Sequence, residues 1–261
     1  MTVQDVIDAM LSAVHCEPLE KTVDTLKTGD PGAEVTGIAT TFLATLDVLR
    51  RAAGLGANMV ITHEPTFYTS QDEVGALPGD GLVALKQRFI EENGIAIWRF
   101  HDHWHRHAPD GIVEGVVRQL GWEGHQSEDD PCVFVMPRTT VGALAAEVKR
   151  RLGTSSVRVV GDPEMACSVV ALRVGAHASS SQIEILRRDG VDVLLAGETR
   201  EWETVEYARD AAAAGQRKAL ILAGHCMSEE PGMEYLVEWL RPLVPGVSVT
   251  FVPAGDPFWC V

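Results

Sequence analysis

Short apolar runs alternate with longer amphipathic segments along nearly the whole chain. This alternation is typical of βα units, in which a buried strand of a parallel sheet is followed by a helix. The pattern predicts strands at 35–39, 58–62, 95–100, 132–136, 156–160, 168–174, 191–195, 218–223 and 247–252. It predicts helices at 3–14, 42–53, 79–92, 110–120, 140–152, 180–188, 200–214 and 230–240. Most of these helices are followed by a glycine, which suits a left-handed C-cap. We therefore expect an α/β protein.

A polar segment interrupts this pattern near the middle of the chain. The sequence GWEGHQSEDDP (121–131) is acidic and ends in proline, which indicates a seam between two lobes. We predict one α/β lobe over 1–128 plus 218–261 and a second α/β lobe over 129–217.

Composition and charge narrow the class of protein. The chain has 261 residues, of which 46% are hydrophobic and 23% charged, and a formal net charge of −15. Such an apolar fraction excludes an intrinsically disordered chain, a collagen and a coiled coil. The excess of acidic over basic residues argues against nonspecific nucleic-acid binding, because such binding needs clustered Lys and Arg. The N-terminal segment has no basic stretch, and no apolar run approaches the ~18 residues of a membrane span. We expect a cytoplasmic protein with no membrane partner.

Histidines follow three of the predicted strands at the point where each strand ends. His63 follows the second strand, the run HDHWHRH (101–107) follows the third, and His225 follows the eighth. Ligands of open parallel sheets bind at the carboxyl ends of strands, where such loops converge. Imidazole and carboxylate are the ligands that Zn, Fe, Mn and Ni use in catalytic sites. The sequence therefore predicts a transition-metal site.

The histidine run carries the more specific signal. If the strand continues past residue 100, His101, His103 and His105 point to one face, because alternate residues of a strand share a face. Which of the three bind metal is left open by the spacing. By contrast, His63 and Glu64 taken alone are more typical of a solvated loop.

Two further groups belong to the candidate chemistry. His225 and Glu229 are one helical turn apart, although acidic residues in a first turn also simply complement the helix dipole. Glu198 follows a predicted strand in the sequence GE and is a candidate general base.

Phosphate-binding motifs are missing from the sequence, but one segment favours an anion. Neither GxxxxGK[ST] nor GxSxG occurs. The segment SVVALRVGAHASSS (168–181) places hydroxyls at a strand-to-helix turn, where helix N-terminal amides bind anions. A serine-rich N-cap explains the same residues equally well.

The order of these motifs resembles the Nif-three family, whose dinuclear, hexameric members are often named GTP cyclohydrolase I type 2. The resemblance rests on a THxP-type strand end at His63, the histidine-rich strand end, GE at 197–198 and GHxxSE at 224–229. It implies two α/β lobes of the Nif-three-like fold with a metal cleft between them, two divalent metal ions (Zn, Fe, Mn or Ni) and a homohexamer.

The resemblance also implies individual roles. His63, His225 and Glu229 match family ligands, and the family's bridging aspartate falls on His105. Glu64 stands where the family commonly has a second histidine, so Glu64 and Glu229 are both candidates for the bridging carboxylate.

Together these observations predict a dinuclear-metal-dependent hydrolase. It would act on a heterocycle, nucleotide or phosphoester through a metal-bridging hydroxide. The predicted metal ligands are His63, Glu64, His105, His225 and Glu229, and the predicted proton-transfer groups are Glu198, His101 and His103. The alternative is a non-catalytic metal-binding scaffold or regulatory hexamer.

Overall fold

The chain forms two compact α/β units, which confirms the predicted fold class. A computed structural model describes residues 1–17, 19–73, 75 and 77–261. The first unit contains Met1–Gly115 and Gly232–Ala254, and the second contains Val116–Pro231 and Gly255–Val261.

A five-stranded sheet forms the centre of the first unit. Its strands are β1 (Leu26–Thr28), β2 (Ile38–Thr41), β3 (Met59–Thr62), β4 (Ala96–Arg99) and β10 (Val249–Phe251). They are ordered β1-β4-β3-β2-β10, and all neighbours are parallel except β1 and β4. Its helices are α1 (Val3–Ala13), α2 (Leu46–Gly54), α3 (Gly81–Glu92) and α4 (Asp102–Arg106). Helices α5 (Gly111–Leu120) and α9 (His225–Leu240) have residues in both units, and the 3-10 helix Arg241–Leu243 follows α9.

The second unit contains a sheet of the same size. Its strands are β5 (Val133–Thr140), β6 (Arg158–Val160), β7 (Ala166–Ala176), β8 (Val193–Glu198) and β9 (Ala219–Leu222). The order is β5-β7-β8-β9-β6, with β7, β8 and β9 parallel and both edge strands antiparallel. Its helices are α6 (Val141–Leu152), α7 (Ser179–Leu186), the π-helix Glu201–Val205 and α8 (Glu206–Ala213).

Burial explains why these apolar runs become strands. Every residue of β2, β3, β4 and β9 is buried, as expected where helices cover both faces of a parallel sheet. In the first unit Val48 and Leu49 of α2 pack with Val60 and Ile97 of the sheet. In the second unit Ile185 and Leu186 of α7 pack with strands β7, β8 and β9.

Each predicted strand has a counterpart in the structure, and two elements were not predicted. Strand β1 is three residues long and half-buried throughout, so it leaves no periodic signal. Helix α4 lies where the strand was expected to continue. Within the described residues, no helix has the length and apolar character needed to cross a membrane.

The boundaries of the two units differ from the sequence-based lobes at β9. That strand hydrogen-bonds to β8 on one side and β6 on the other, whereas the predicted division placed 218–261 with the first lobe. Local periodicity reports that a strand is buried but not which sheet it joins.

Candidate metal centre

Two neighbouring strands of the first unit deliver the first group of donors. Strand β3 ends at Thr62 and β4 at Arg99, and these residues are paired in parallel register. His63 and His101 therefore leave the same edge of the sheet. His63 is completely buried, and its ring stacks on that of His101 with centroids 4.5 Å apart.

Helix α4 turns the histidine run into a different arrangement from the one predicted. The Asp24 carboxylate accepts hydrogen bonds from the backbone N–H groups of His101, Asp102 and His103 at 2.7 to 2.9 Å. It thus caps the start of the helix, where His101 itself provides no capping side chain. The expectation that alternate histidines share a face is wrong, because helical residues four apart are neighbours. His105 therefore returns to His101, and the two ring centroids lie 4.9 Å apart.

Three imidazoles meet as a result. His63, His101 and His105 each offer a ligand atom, and these atoms all lie within 4.8 Å of one another. The third ring pair, His63 and His105, has centroids 4.9 Å apart. His103 is outside this group, since its Nδ1 lies 2.7 Å from Asp24 Oδ2.

Hydrogen bonds orient each ring of this triad in the same sense. Nδ1 of His63 lies 3.3 Å from the Phe100 carbonyl, which can only accept, so this nitrogen carries the proton. Nδ1 of His101 lies 3.0 Å from Asp102, and that of His105 lies 3.1 Å from Asp110. Such bonds to Nδ1 leave Nε2 as the nitrogen with a lone pair, the arrangement found around metal-binding histidines.

Glu64 lies beside the triad and is held by a buried arginine. Its Oε1 is 3.7 Å from His101 Nε2, and its Oε2 is 3.2 Å from the Arg99 guanidinium. Arg99 is 4% exposed and also donates to the carbonyls of His63 and Ser70. The guanidinium therefore fixes the loop that carries both His63 and Glu64.

The environment of His101 favours the neutral imidazole. Burial and the neighbouring His63 and His105 together lower the pKa of His101 to about 4, against the opposing influence of Glu64 and Asp102. At neutral pH the His101 ring therefore keeps a lone pair for a cation. Three imidazoles with an adjacent carboxylate fit a divalent transition metal, while the donor set alone does not select among Zn, Fe, Mn and Ni.

The second unit also holds donors, at the ends of β8 and β9. His225 Nε2 lies 3.0 Å from Glu229 Oε2, one turn further along α9. His225 Nδ1 lies 3.6 Å from Oε1 of Glu198, the last residue of β8. Glu229 is 3% exposed, whereas the Glu198 side chain is 55% exposed. Glu198 is thus the member of the group most accessible to a substrate.

Two glycines let α9 approach the sheet closely enough to bury this carboxylate. Gly175 has φ +64°, and a Cβ at this position would overlap Glu229 Oε1 and lie 2.5 Å from its Cδ. A Cβ at Gly197 would likewise overlap the Ser228 hydroxyl. That hydroxyl accepts from the Gly175 N–H at 2.9 Å and donates to the His225 carbonyl at 2.8 Å. The absence of side chains here is what places Glu229 beside His225.

Within each unit the structure thus brings predicted residues together. Sequence reasoning missed Asp24, Arg99 and Asp110, which position the triad. Asp110 had a local signal, because it caps α5 through the N–H groups of Ile112 and Val113 at 2.9 and 3.1 Å. Asp24 had none, because its partners are more than seventy positions away in the chain.

Comparison with known proteins identifies the same family that the sequence motifs indicate. The model of the family described as Duf34/NIF3 (NGG1p interacting factor 3) matches residues 1–257. A Streptomyces coelicolor protein named GTP cyclohydrolase 1 type 2 homolog is 28% identical over 221 residues, which cover 79% of this chain and 73% of that protein. An Escherichia coli protein of the same name is 28% identical over 226 residues, 84% of this chain and 85% of its own length.

The fold has close counterparts among solved structures. A Bacillus cereus protein related to NIF3 superposes with a TM-score of 0.79 at 16% identity, covering 100% of this chain and 99% of that one. At such low identity the likeness establishes the fold alone. The family model, which spans nearly the whole sequence, goes further and confirms the resemblance seen in the motifs. The chain belongs to the Duf34/NIF3 family.

Proposed function

We propose that the chain is a metal-dependent hydrolase acting on a heterocycle, a nucleotide or a phosphoester. The observation that carries the proposal is the triad of His63, His101 and His105, whose ligand atoms lie within 4.8 Å of one another. A surface that needed only solubility would not pack three imidazoles against each other, because protonation of any one disfavours that of its neighbours. The hydrogen bond that engages Nδ1 of each ring, and so leaves Nε2 available, supports the same role.

In the first unit, we propose that His63, His101 and His105 hold a divalent ion with Glu64 beside them. His101 is assigned here to the ligand set, although the sequence suggested proton transfer, because its Nδ1 is engaged by Asp102. His103 is left out of the chemistry because its ring is not among the three whose ligand atoms lie within 4.8 Å of one another. Arg99 balances the charge of Glu64.

In the second unit, we propose that His225 and Glu229 serve as ligands, so that each chain takes two divalent ions. Support for this finer proposal comes from their 3.0 Å approach and from the resemblance of GHxxSE to a family motif. The resemblance also supports a homohexamer, which light scattering of the purified chain would test.

The chemistry divides between the ions and the protein. When bound, a divalent ion polarises the substrate and lowers the pKa of water. Glu198, exposed at the end of β8 and 3.6 Å from His225, is placed to take a proton on its carboxylate. Asp110 and Asp102 hold the rings of His105 and His101, so those donors need no reorganisation when substrate arrives.

Metal content and turnover test the proposal together. We expect His105→Ala to lower the metal bound per chain and to abolish hydrolysis across a panel of heterocycles and phosphoesters. The matched control is His125→Ala, because the His125 ring lies 3.1 Å from the Val135 carbonyl and His125 is not one of the proposed ligands. Metal bound tightly without any turnover would support the alternative, a metal-binding scaffold or regulatory hexamer. Equal metal content in both variants would refute the proposed site.

A further inference from the structure

A cavity opens beside Glu198 within the second unit. Its volume is about 680 Å³, which is in the range of small-molecule sites. Ala176, Ala178 and Ile183 contribute apolar surface to the cavity. The polar lining consists of His177, Ser179, Ser180, Glu198, Thr199, Arg200 and Glu203.

One buried glutamine joins the two walls of this cavity. Gln182 of α7 is fully buried, and its amide donates to the Glu198 carbonyl at 2.8 Å. Its Oε1 accepts from the hydroxyls of Thr199 and Thr204 at 2.5 and 2.9 Å. The loop after β8 is therefore tied to α7, and the cavity is formed before any ligand arrives. The adjoining π-helix Glu201–Val205 is of a type often found at functional sites.

The start of α7 is suited to an anion. The helix has eight residues, and its N-cap is Ala178, which has no side chain that could accept from the first-turn N–H groups. These groups and the helix dipole favour negative charge at this end. Ser179 and Ser180, the first two residues of the helix, both line the cavity.

An unsatisfied hydroxyl gives independent evidence for a ligand here. Ser179 is 7% exposed, and its Oγ has no hydrogen-bond partner among the described residues. Leaving a buried hydroxyl unsatisfied is unfavourable, so natural proteins seldom retain one without a use for it. An acceptor atom bound in the cavity would satisfy it.

The charges of the lining select the kind of ligand. The Arg200 side chain is 68% exposed, and its ion pair with Glu203 is long at 3.5 Å, so its guanidinium can turn to an anion. Glu198, two residues before Arg200, faces His225. The cavity thus offers hydroxyl and amide donors at the start of α7, a guanidinium on the loop after β8, and carboxylates at Glu198 and Glu203.

We propose that the α7 end of this cavity binds an oxyanion, the phosphate or carboxylate group of a small substrate. Ser179, Ser180 and Arg200 donate to the oxyanion, and the apolar wall at Ile183 accommodates the body of the molecule. That the reacting part of the molecule lies toward Glu198 rests on the hydrolase proposal, whereas the oxyanion site itself does not.

Calorimetric titration of the full-length chain, freed of metal with a chelator, tests the site. Inorganic phosphate and acetate are titrated separately to distinguish the two sources of the oxyanion. For the anion that binds, we expect Arg200→Gln to weaken binding about tenfold and Ser179→Ala about threefold. The matched controls are Ser181→Ala on the same helix and Arg187→Gln at its C-cap, since neither residue lines the cavity.

Stability separates binding from folding in these variants. Because Ser179→Ala removes an unsatisfied buried hydroxyl, we expect it to leave the unfolding free energy unchanged or raised while anion binding weakens about threefold. Binding of neither anion, or equal weakening in the control variants, would overturn the oxyanion site. Since the titration requires neither metal nor turnover, its failure is distinguishable from failure of the hydrolase proposal.

Discussion

Gly175→Ala is expected to displace Glu229 and thereby to disrupt the donor pair of the second unit. A methyl group at this position would overlap Glu229 Oε1 and lie 2.5 Å from Cδ. Glu229 is 3% exposed and so has little room to move without losing His225, which lies 3.0 Å away. The backbone adds a second penalty, because φ at residue 175 is +64°.

The magnitude follows from these two effects. A non-glycine residue in the left-handed region costs about 1–2 kcal/mol. Displacing a buried carboxylate from its hydrogen-bonding partner costs about 1–3 kcal/mol more. Gly190→Ala is the matched control, because residue 190 has φ +87° but nothing within 4 Å of an added Cβ. We therefore expect Gly175→Ala to lower the free energy of unfolding by about 2–5 kcal/mol, and the control by about 1–2 kcal/mol.

Urea denaturation followed by circular dichroism measures both variants, and elemental analysis measures the metal that each retains. The decisive comparison uses Glu229→Ala as a second background. With the carboxylate removed, adding Gly175→Ala should cost no more than Gly190→Ala does, since only backbone strain remains. An undiminished penalty in the Glu229→Ala background would refute the steric reasoning.

Three further predictions concern the first unit. Asp24→Ala should lower the free energy of unfolding by about 1–2 kcal/mol and reduce metal content, because α4 loses its cap. Asp47→Ala, at an exposed side chain of α2, should change neither quantity appreciably. Denaturation and elemental analysis would test this, and unchanged metal content in Asp24→Ala would contradict it. Folding lowers the pKa of His101 from its ordinary value of 6.5 to about 4. Between pH 4 and pH 6.5 the unfolded state therefore binds more protons than the folded state. The free energy of unfolding of the metal-free chain should fall by up to about 3 kcal/mol as the pH decreases from 6.5 to 4. Urea titrations of wild type and His101→Gln at several pH values would test it, and the same slope in both would count against the assignment. Burial likewise lowers the pKa of Lys86 from 10.5 to about 8, so the unfolded state binds more protons between these pH values and the free energy of unfolding should rise with pH from about 8 to 10.5. Lys86→Met should remove that rise in a urea titration. A rise of equal size in the variant would show that another group causes it.

Much of the fold is predictable because its signals are local. Buried parallel strands require continuous apolar runs, and each run of the sequence became a strand. The positions of His63, His101 and His225 just after strands are equally local facts, and the parallel pairing of β3 with β4 explains why the first two meet. The resemblance to a family also needed only the order of short motifs, and the family model confirms it.

What the tertiary structure decided depends on residues far apart in the chain. The run HDHWHRH follows an apolar strand and is compatible with either an extended or a helical backbone. Asp24, nearly eighty positions earlier, caps α4 and so makes His105 rather than His103 the partner of His101. The cavity beside Glu198 is similar, because Ser179 looks like an ordinary helix start until its hydroxyl is found buried. Sequence patterns record each residue's preference for burial and local conformation, whereas a site depends on which distant side chain satisfies which polar group, and only the folded chain specifies that.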